Sequence, residues 1–167
     1  MGAPFIRGFF IAGLLFATPV QNARVLRDIA KEKAKYENAD SPVKRAKSVP
    51  KLGREEYIAA RQALRDGDQN AALQYLRDYN EQASAAHDEL EKSVADPEKH
   101  SNGFRQLQIS VRERARELKD ITSRVAFDQR KPFEELQKAL DALNQKLILE
   151  LFPNQPNHKK QPDQKNP

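Results

Sequence analysis

The chain has 167 residues, no cysteine, a formal net charge of +5 and 32% charged residues, with a mean hydropathy of −0.83. The lack of cysteine excludes disulfide bonds, thiolate metal sites and cysteine nucleophiles. The polar composition excludes membrane-spanning helices outside the apolar N-terminal segment.

The N-terminal segment has the order of a secretory signal. Arg7 precedes an apolar run over Gly8–Val20, and Gln21-Asn22-Ala23 follows it. The run has 13 residues, whereas a helix needs about 20 to cross the hydrocarbon core. We therefore expect a signal peptide from Phe5 to about Ala23 and an exported protein, periplasmic or secreted. Gln21 is unfavourable at a small-x-small cleavage site, so the alternative is an uncleaved N-terminal segment that tethers the protein to the membrane.

The positive charge is concentrated in the flanks of the chain. Residues 24–54 contain ten basic and four acidic residues, whereas residues 55–152 contain fifteen basic and nineteen acidic ones. The region expected to be globular is therefore mildly acidic. The overall basicity does not indicate a nucleic-acid-binding domain.

Residues 24–53 are predicted to form a basic helix followed by a flexible linker. A narrow apolar stripe predicts a helix over Arg24–Tyr36. From Asn38 to Leu52 that pattern is interrupted by Pro42 and Pro50, with few apolar residues between them. This composition is typical of a linker.

Four further helices and no strand are predicted over residues 54–152, because apolar residues recur three or four apart. Gly67-Asp68 separates the first two, and Arg114 interrupts the apolar stripe of the third. The predicted helices cover about Arg54–Asp66, Asp68–Ala95, Phe104–Val125 and Phe133–Leu151. We expect an all-α fold, an antiparallel bundle of three long helices and a shorter one with coiled-coil-like spacing. The start of the third helix stays open, and the proline-rich residues 153–167 are expected to be a disordered tail.

Two segments resemble known proteins. Tyr57–Tyr79 reads Y-x-x-A-x-x-A-L-x-x-G-D-x-x-x-A-L-x-x-L-x-x-Y and resembles one tetratricopeptide-type hairpin, which implies peptide binding. We expect an ordinary αα-hairpin rather than a true repeat, because Gln69 stands where an aromatic residue is usual and no second copy follows about 34 residues later. Gly103–Pro153 contains Gly-Phe-x-Gln-Leu-Gln-Ile-Ser-Val-Arg and Phe-Asp-Gln-Arg-x-Pro-Phe. It is similar to uncharacterised exported bacterial proteins, a resemblance that implies no particular activity.

No motif predicts a catalytic, cofactor or metal site. His87, His100 and His158 lack any paired ligand spacing. His87 stands beside Asp88, with Glu91 one helical turn later, and we expect it to be a surface or rim histidine. Neighbouring carboxylates elsewhere are expected on solvated helix faces. The interpretation is that the protein is not an enzyme and binds no cofactor or metal.

Two groups of basic residues are candidates for contact with anions. The first lies in the predicted linker and contains no acidic residue: Lys44, Arg45, Lys47, Lys51 and Arg54. Near a membrane, such a segment is attracted to anionic lipid by about 1 kcal/mol per charge. The second group lies along one side of the third bundle helix and consists of Arg105, Arg112, Arg116 and Lys119. We expect these residues to pair with Glu113, Glu117 and Asp120 of the same helix.

The leading hypothesis is a non-catalytic exported helical-bundle protein that acts by protein–protein contact or self-association in the bacterial envelope. The alternative is that residues 24–54 bind a polyanion or an anionic membrane. A nucleic-acid partner is not expected, because the basic cluster of residues 44–54 has no aromatic side chain on which bases could stack.

Overall fold

The computed structural model of the chain describes residues 19–93 and 101–153, and every regular element in these two ranges is helical. The helices are α1 (Pro19–Glu37), α2 (Pro42–Arg65), α3 (Gln69–Ser93), α4 (Asn102–Arg124) and α5 (Lys131–Leu151), with a short 3₁₀ turn at Phe127–Gln129 before α5. The all-α prediction is confirmed. The third bundle helix, α4, begins at Asn102, a start that the sequence had left open.

Several predicted features lie outside the described residues. These are most of the signal peptide, the tail from residue 154 onward, and the histidines at positions 100 and 158. Helix α1 begins at Pro19 and therefore includes the end of the predicted signal. Across residues 19–93 and 101–153, no helix combines the length and apolarity needed to cross a membrane.

Local turn chemistry separates α2 from α3 as the sequence predicted. Gly67 has a φ of 79°, a left-handed conformation that glycine adopts without steric cost. The next residue, Asp68, accepts a hydrogen bond from the Ala71 backbone N–H at 2.9 Å. This bond satisfies one of the donors left unpaired at the start of a helix.

The prediction of a flexible linker is wrong from Pro42 onward, because α2 is one helix of 24 residues. Ser41 caps it by accepting a hydrogen bond from the Lys44 backbone N–H at 3.3 Å. Pro42 occupies the first turn, where a missing N–H removes no helical hydrogen bond. Pro50 stands inside the helix, and its cost is offset by burial of the apolar residues around it. Those residues are Ala46, Val49 and Leu52, each 0% exposed.

Two consequences follow for the predicted organisation. The connection between α1 and α2 is only four residues long, residues 38–41. The predicted short helix beginning at about Arg54 is in fact the second half of α2, and the predicted boundary between residues 53 and 54 lies inside this helix. The basic segment is therefore rigid and continuous with the core.

Helix α2 packs against α1, α3 and α4, while α5 packs against α4 and α3. Helices α2 and α3 run antiparallel, because Arg45 is bonded to Glu89 and, further along α2, Glu56 is bonded to Gln82. The core lies between α2, α3, α4 and α5, and its largest fully buried side chains include Tyr57, Tyr79, Phe104, Phe133, Leu76, Leu90, Leu107, Leu118, Leu140 and Leu147.

The single charged residue in the apolar stripe of α4 has a defined place in this core. The Arg114 guanidinium lies 5.4 Å from the Tyr57 ring centroid and forms an ion pair of 2.8 Å with Glu117. Tyr57 in turn meets Tyr79 edge-on at 5.4 Å, and the Tyr79 hydroxyl is 3.0 Å from Ser110 Oγ. Arg114 thus replaces an apolar side chain by covering an aromatic ring.

We expect Gly53→Ala to destabilise the fold, although alanine favours a helix by about 0.5–1 kcal/mol over glycine. A Cβ at Gly53 would lie 2.3 Å from Tyr79 Cε2, and the Tyr79 hydroxyl is held by Ser110. Overpacking costs about 1–3 kcal/mol, so the net loss should be on the order of 1 kcal/mol in the free energy of unfolding.

The matched control is Gly103→Ala. Its Cβ would meet Leu90 Cδ2 at 2.8 Å, and this flexible end of a side chain can move aside. Urea unfolding of both variants should show the larger loss for Gly53→Ala. A Gly53→Ala protein as stable as the original would contradict the close approach of α2 and α3.

Candidate functional site

The outer side of α2 carries a row of cations. Lys44, Lys47, Lys51 and Arg54 are spaced by three, four and three residues and are all exposed. This spacing places them on one side of a helix. We call these four residues the basic α2 face. Four of the five residues predicted to contact anions thus lie in a row on one side of a helix.

Most of this face has no acidic partner. Among residues 19–93 and 101–153, no carboxylate oxygen lies within 4.0 Å of the cationic nitrogens of Lys47, Lys51 or Arg54. Lys44 is 2.7 Å from Asp40, and both side chains are about two-thirds exposed. Exposed pairs of this kind contribute only about 0–1 kcal/mol. The positive charge of the face is therefore available to a partner.

Arg45, the fifth predicted contact, points to the opposite side of α2. Its Nη1 donates to the Glu89 carboxylate on α3, and its guanidinium lies 5.8 Å from the Tyr36 ring centroid. It also donates to the backbone carbonyls of Tyr36 and Ala39, at 3.3 and 3.4 Å. Arg45 joins the end of α1, the α1–α2 turn and α3, and it is not part of the basic α2 face.

A groove between α1 and α2 continues the basic α2 face toward the end of α2. Arg24 from α1 and Arg54 and Arg65 from α2 line it, together with Asp28 and Glu55. Arg24 is 3.7 Å from Asp28. Three cations and two carboxylates from two helices therefore line this groove, which leaves it one net positive charge.

The predicted basic strip on α4 is exposed, but the expected pairing is wrong for its three acids. Glu113 lies 3.8 Å from Arg114. Glu117 binds Arg61 and Arg114, each at 2.8 Å. Asp120 binds Arg124, at 2.9 Å. These carboxylates pair with arginines outside the strip because those guanidinium groups come within reach across the α2–α4 contact or within one turn of α4.

His87 is not the surface or rim histidine that the sequence suggested, because it is only 1% exposed. Its ring meets Phe104 edge-on at 6.3 Å. Nε2 lies 2.9 Å from both carboxylate oxygens of Glu150 on α5, and Nδ1 lies 3.3 Å from Asp88 Oδ1. The sequence could not show this, since Glu150 is 63 residues away along the chain.

Glu56 is a second buried polar group that the sequence did not single out. It is 1% exposed on the α3 side of α2. Oε1 accepts a hydrogen bond of 2.7 Å from Gln82 Nε2, whereas Oε2 is buried without a partner. Burial raises the pKa of this carboxyl from 4.5 to about 8, and the Gln82 hydrogen bond lowers it only in part.

The stability of the protein should therefore fall as the pH rises from about 4.5 to about 8. Over this range Glu56 ionises in the unfolded chain but stays protonated in the folded one, so deprotonation favours unfolding by up to about 1.4 kcal/mol per pH unit. Glu56→Gln mimics the protonated form and should remove this dependence, leaving a variant more stable than the original protein at pH 8.

Urea unfolding at half-unit pH intervals checks this, with Glu81→Gln as a control that neutralises an exposed acid on α3. If Glu56→Gln and Glu81→Gln show the same dependence on pH as the original protein, Glu56 is not the titrating group.

Arg45→Ala should lower the free energy of unfolding by about 1–3 kcal/mol, because it removes a charged hydrogen bond to Glu89 and two backbone hydrogen bonds. Lys47→Ala, two residues later, should change it by less than about 0.5 kcal/mol, as expected for an exposed side chain with no ion pair to another described residue. Thermal or urea unfolding measures both. An equal loss of stability in the two variants would contradict the conclusion that Arg45 stabilises the fold while the basic α2 face does not.

No family model matches this chain, and neither a curated protein nor a solved structure matches it. The resemblances of Tyr57–Tyr79 and Gly103–Pro153 to other proteins remain predictions.

Proposed function

We propose that the chain is an exported, non-catalytic protein whose helices form an antiparallel bundle, and that it acts in the bacterial envelope by binding an acidic protein partner through the basic α2 face. The observation that carries this proposal is the row formed by Lys47, Lys51 and Arg54, which is exposed and has no carboxylate within 4.0 Å among the described residues. Unpaired cations in such a row favour a binding partner with an acidic surface.

The rigidity of α2 favours specific binding over nonspecific electrostatic attraction. The residues behind the face, Ala46, Val49 and Leu52, are fully buried and hold the helix against its neighbours. From Lys47 to Arg54 the cations span seven residues, about 10 Å of helix. Complementary charge across an interface speeds association and fixes the register of the partner. A fixed array therefore needs less ordering on binding than a flexible basic segment would.

An anionic membrane is the second candidate for the same face. Each basic residue near an anionic bilayer contributes about 1 kcal/mol, so three of them would contribute about 3 kcal/mol. The groove with Arg24 and Arg65 adds further cations next to the face, although Asp28 and Glu55 offset two of them. Both candidates need the same cations, and they differ in the chemistry of the partner.

The test uses a variant in which Lys47, Lys51 and Arg54 are all replaced by glutamine. Poly-L-glutamate and phosphatidylglycerol vesicles serve as defined acidic probes, and proteins retained from envelope extract are quantified alongside. The triple variant should bind its preferred probe at least about tenfold more weakly at low salt, and the difference should shrink as salt is added.

The matched control replaces Arg77, Lys131 and Lys138, which are exposed cations on α3 and α5, by glutamine. This variant loses the same net charge and should bind as the original protein does. If both variants weaken equally, the binding follows net charge and the basic α2 face is not the site. Loss of vesicle binding alone would favour the membrane, and loss of poly-L-glutamate and extract binding would favour an acidic protein.

A further inference from the structure

The His87 imidazole is oriented by a carboxylate on another helix. Glu150 of α5 lies 2.9 Å from Nε2 through both of its oxygens, so Nε2–H donates to it. In the neutral ring this leaves Nδ1 with its lone pair as an acceptor. Nδ1 faces Asp88 Oδ1 at 3.3 Å, and a proton on Nδ1 would be donated to this carboxylate. A metal ion that displaces this proton would find a nitrogen ligand of a buried side chain next to a carboxylate.

A third ligand lies one helical turn further along α3. One carboxylate oxygen of Asp88, one of Glu91 and a ring nitrogen of His87 all lie within 4.8 Å of one another. We propose that His87, Asp88 and Glu91 bind a divalent transition-metal ion such as Zn²⁺, with Glu150 as the positioning residue that holds the imidazole.

The distances suit this ion. With bonds of about 2.0–2.1 Å, two ligand atoms of a tetrahedral Zn²⁺ site lie about 3.3 Å apart. The Nδ1 to Asp88 distance already has this value, 3.3 Å. The Asp88 and Glu91 side chains are 60% and 52% exposed, and Glu91 is held only by an exposed ion pair with Lys146, so it can move to close the remaining gap. Water would complete the coordination, as it does in zinc sites with three protein ligands.

The charges around the site also favour a divalent cation. Three carboxylates, those of Asp88, Glu91 and Glu150, surround the imidazole, and Lys146 offsets one of them by an ion pair of 3.0 Å with Glu91. The carboxylates that Lys146 does not offset carry a charge of −2.

The ligand types select the class of metal. Imidazole with carboxylates suits Zn²⁺ and other first-row transition ions, whereas Mg²⁺ and Ca²⁺ prefer sites of oxygen ligands alone. A carboxylate that accepts the second ring N–H is the usual partner of a metal-bound histidine. Glu150 already has that position before any ion binds. The site is separate from the basic α2 face, so either proposal can fail without the other.

The test titrates the full purified, metal-free chain with ZnCl₂ by calorimetry and with CoCl₂ by visible absorption at pH 7. We expect one ion per chain and a Co²⁺ spectrum typical of low coordination number. The double variant Asp88→Asn, Glu91→Gln changes only exposed side chains and should bind at least tenfold more weakly. Glu150→Gln should weaken binding by about 10–100-fold, as for other second-layer partners of metal-bound histidines.

Glu134→Gln with Glu135→Gln is the matched control, since it removes two exposed carboxylates from α5 outside the site. This variant should bind Zn²⁺ as the original protein does. His87→Gln should abolish binding, and its circular dichroism shows whether the buried position still folds. Absence of stoichiometric Zn²⁺ binding, or unchanged affinity in the Asp88, Glu91 double variant, would overturn the proposal.

Discussion

Helix α2 is the element on which the rest of the structure depends, because it is the one that packs against α1, α3 and α4. Small residues make these contacts possible. Gly53 lets the Tyr79 ring of α3 approach so closely that a single added methyl group would overlap it. Ala46 and Ala60 are fully buried on the same helix. Close backbone approach at these positions brings α3 and α4 within reach of α2, and the aromatic core between them follows from it.

The same helix separates two kinds of positive charge. Arg45 is held by Glu89 and by backbone carbonyls, and its charge is used within the fold. Lys47, Lys51 and Arg54 point outward from the other side. Burial of one side of α2 thus fixes which residues of the opposite side face outward, because the helix sets the direction of each Cα–Cβ bond around its axis. A basic segment that looks uniform in sequence has a structural part and an exposed part.

Buried polar groups join helices that are far apart in sequence. Arg114 covers Tyr57 and bonds to Glu117, which also binds Arg61. His87 bonds to Glu150 across the α3–α5 contact. Pairing of such groups stabilises the fold, because leaving a polar group unpaired in a protein interior costs free energy. Glu56 Oε2 and Arg114 Nε are exceptions, since both are buried without a partner. These polar contacts therefore specify which helix faces meet. Leucine side chains specify this less well, because one leucine can pack against another in many arrangements.

The sequence by itself determined the all-helical class, the positions of α3, α4 and α5 to within a few residues, and the turn at Gly67-Asp68, because helical periodicity and capping act over one or two turns. It misjudged the start of α2, since Pro50 weighs against a helix locally and only packing against neighbouring helices outweighs it. Tertiary structure alone decided which cations are exposed and that His87 is buried. Both depend on residues such as Glu89 and Glu150, which lie more than 40 positions away along the chain and which no local pattern connects to them.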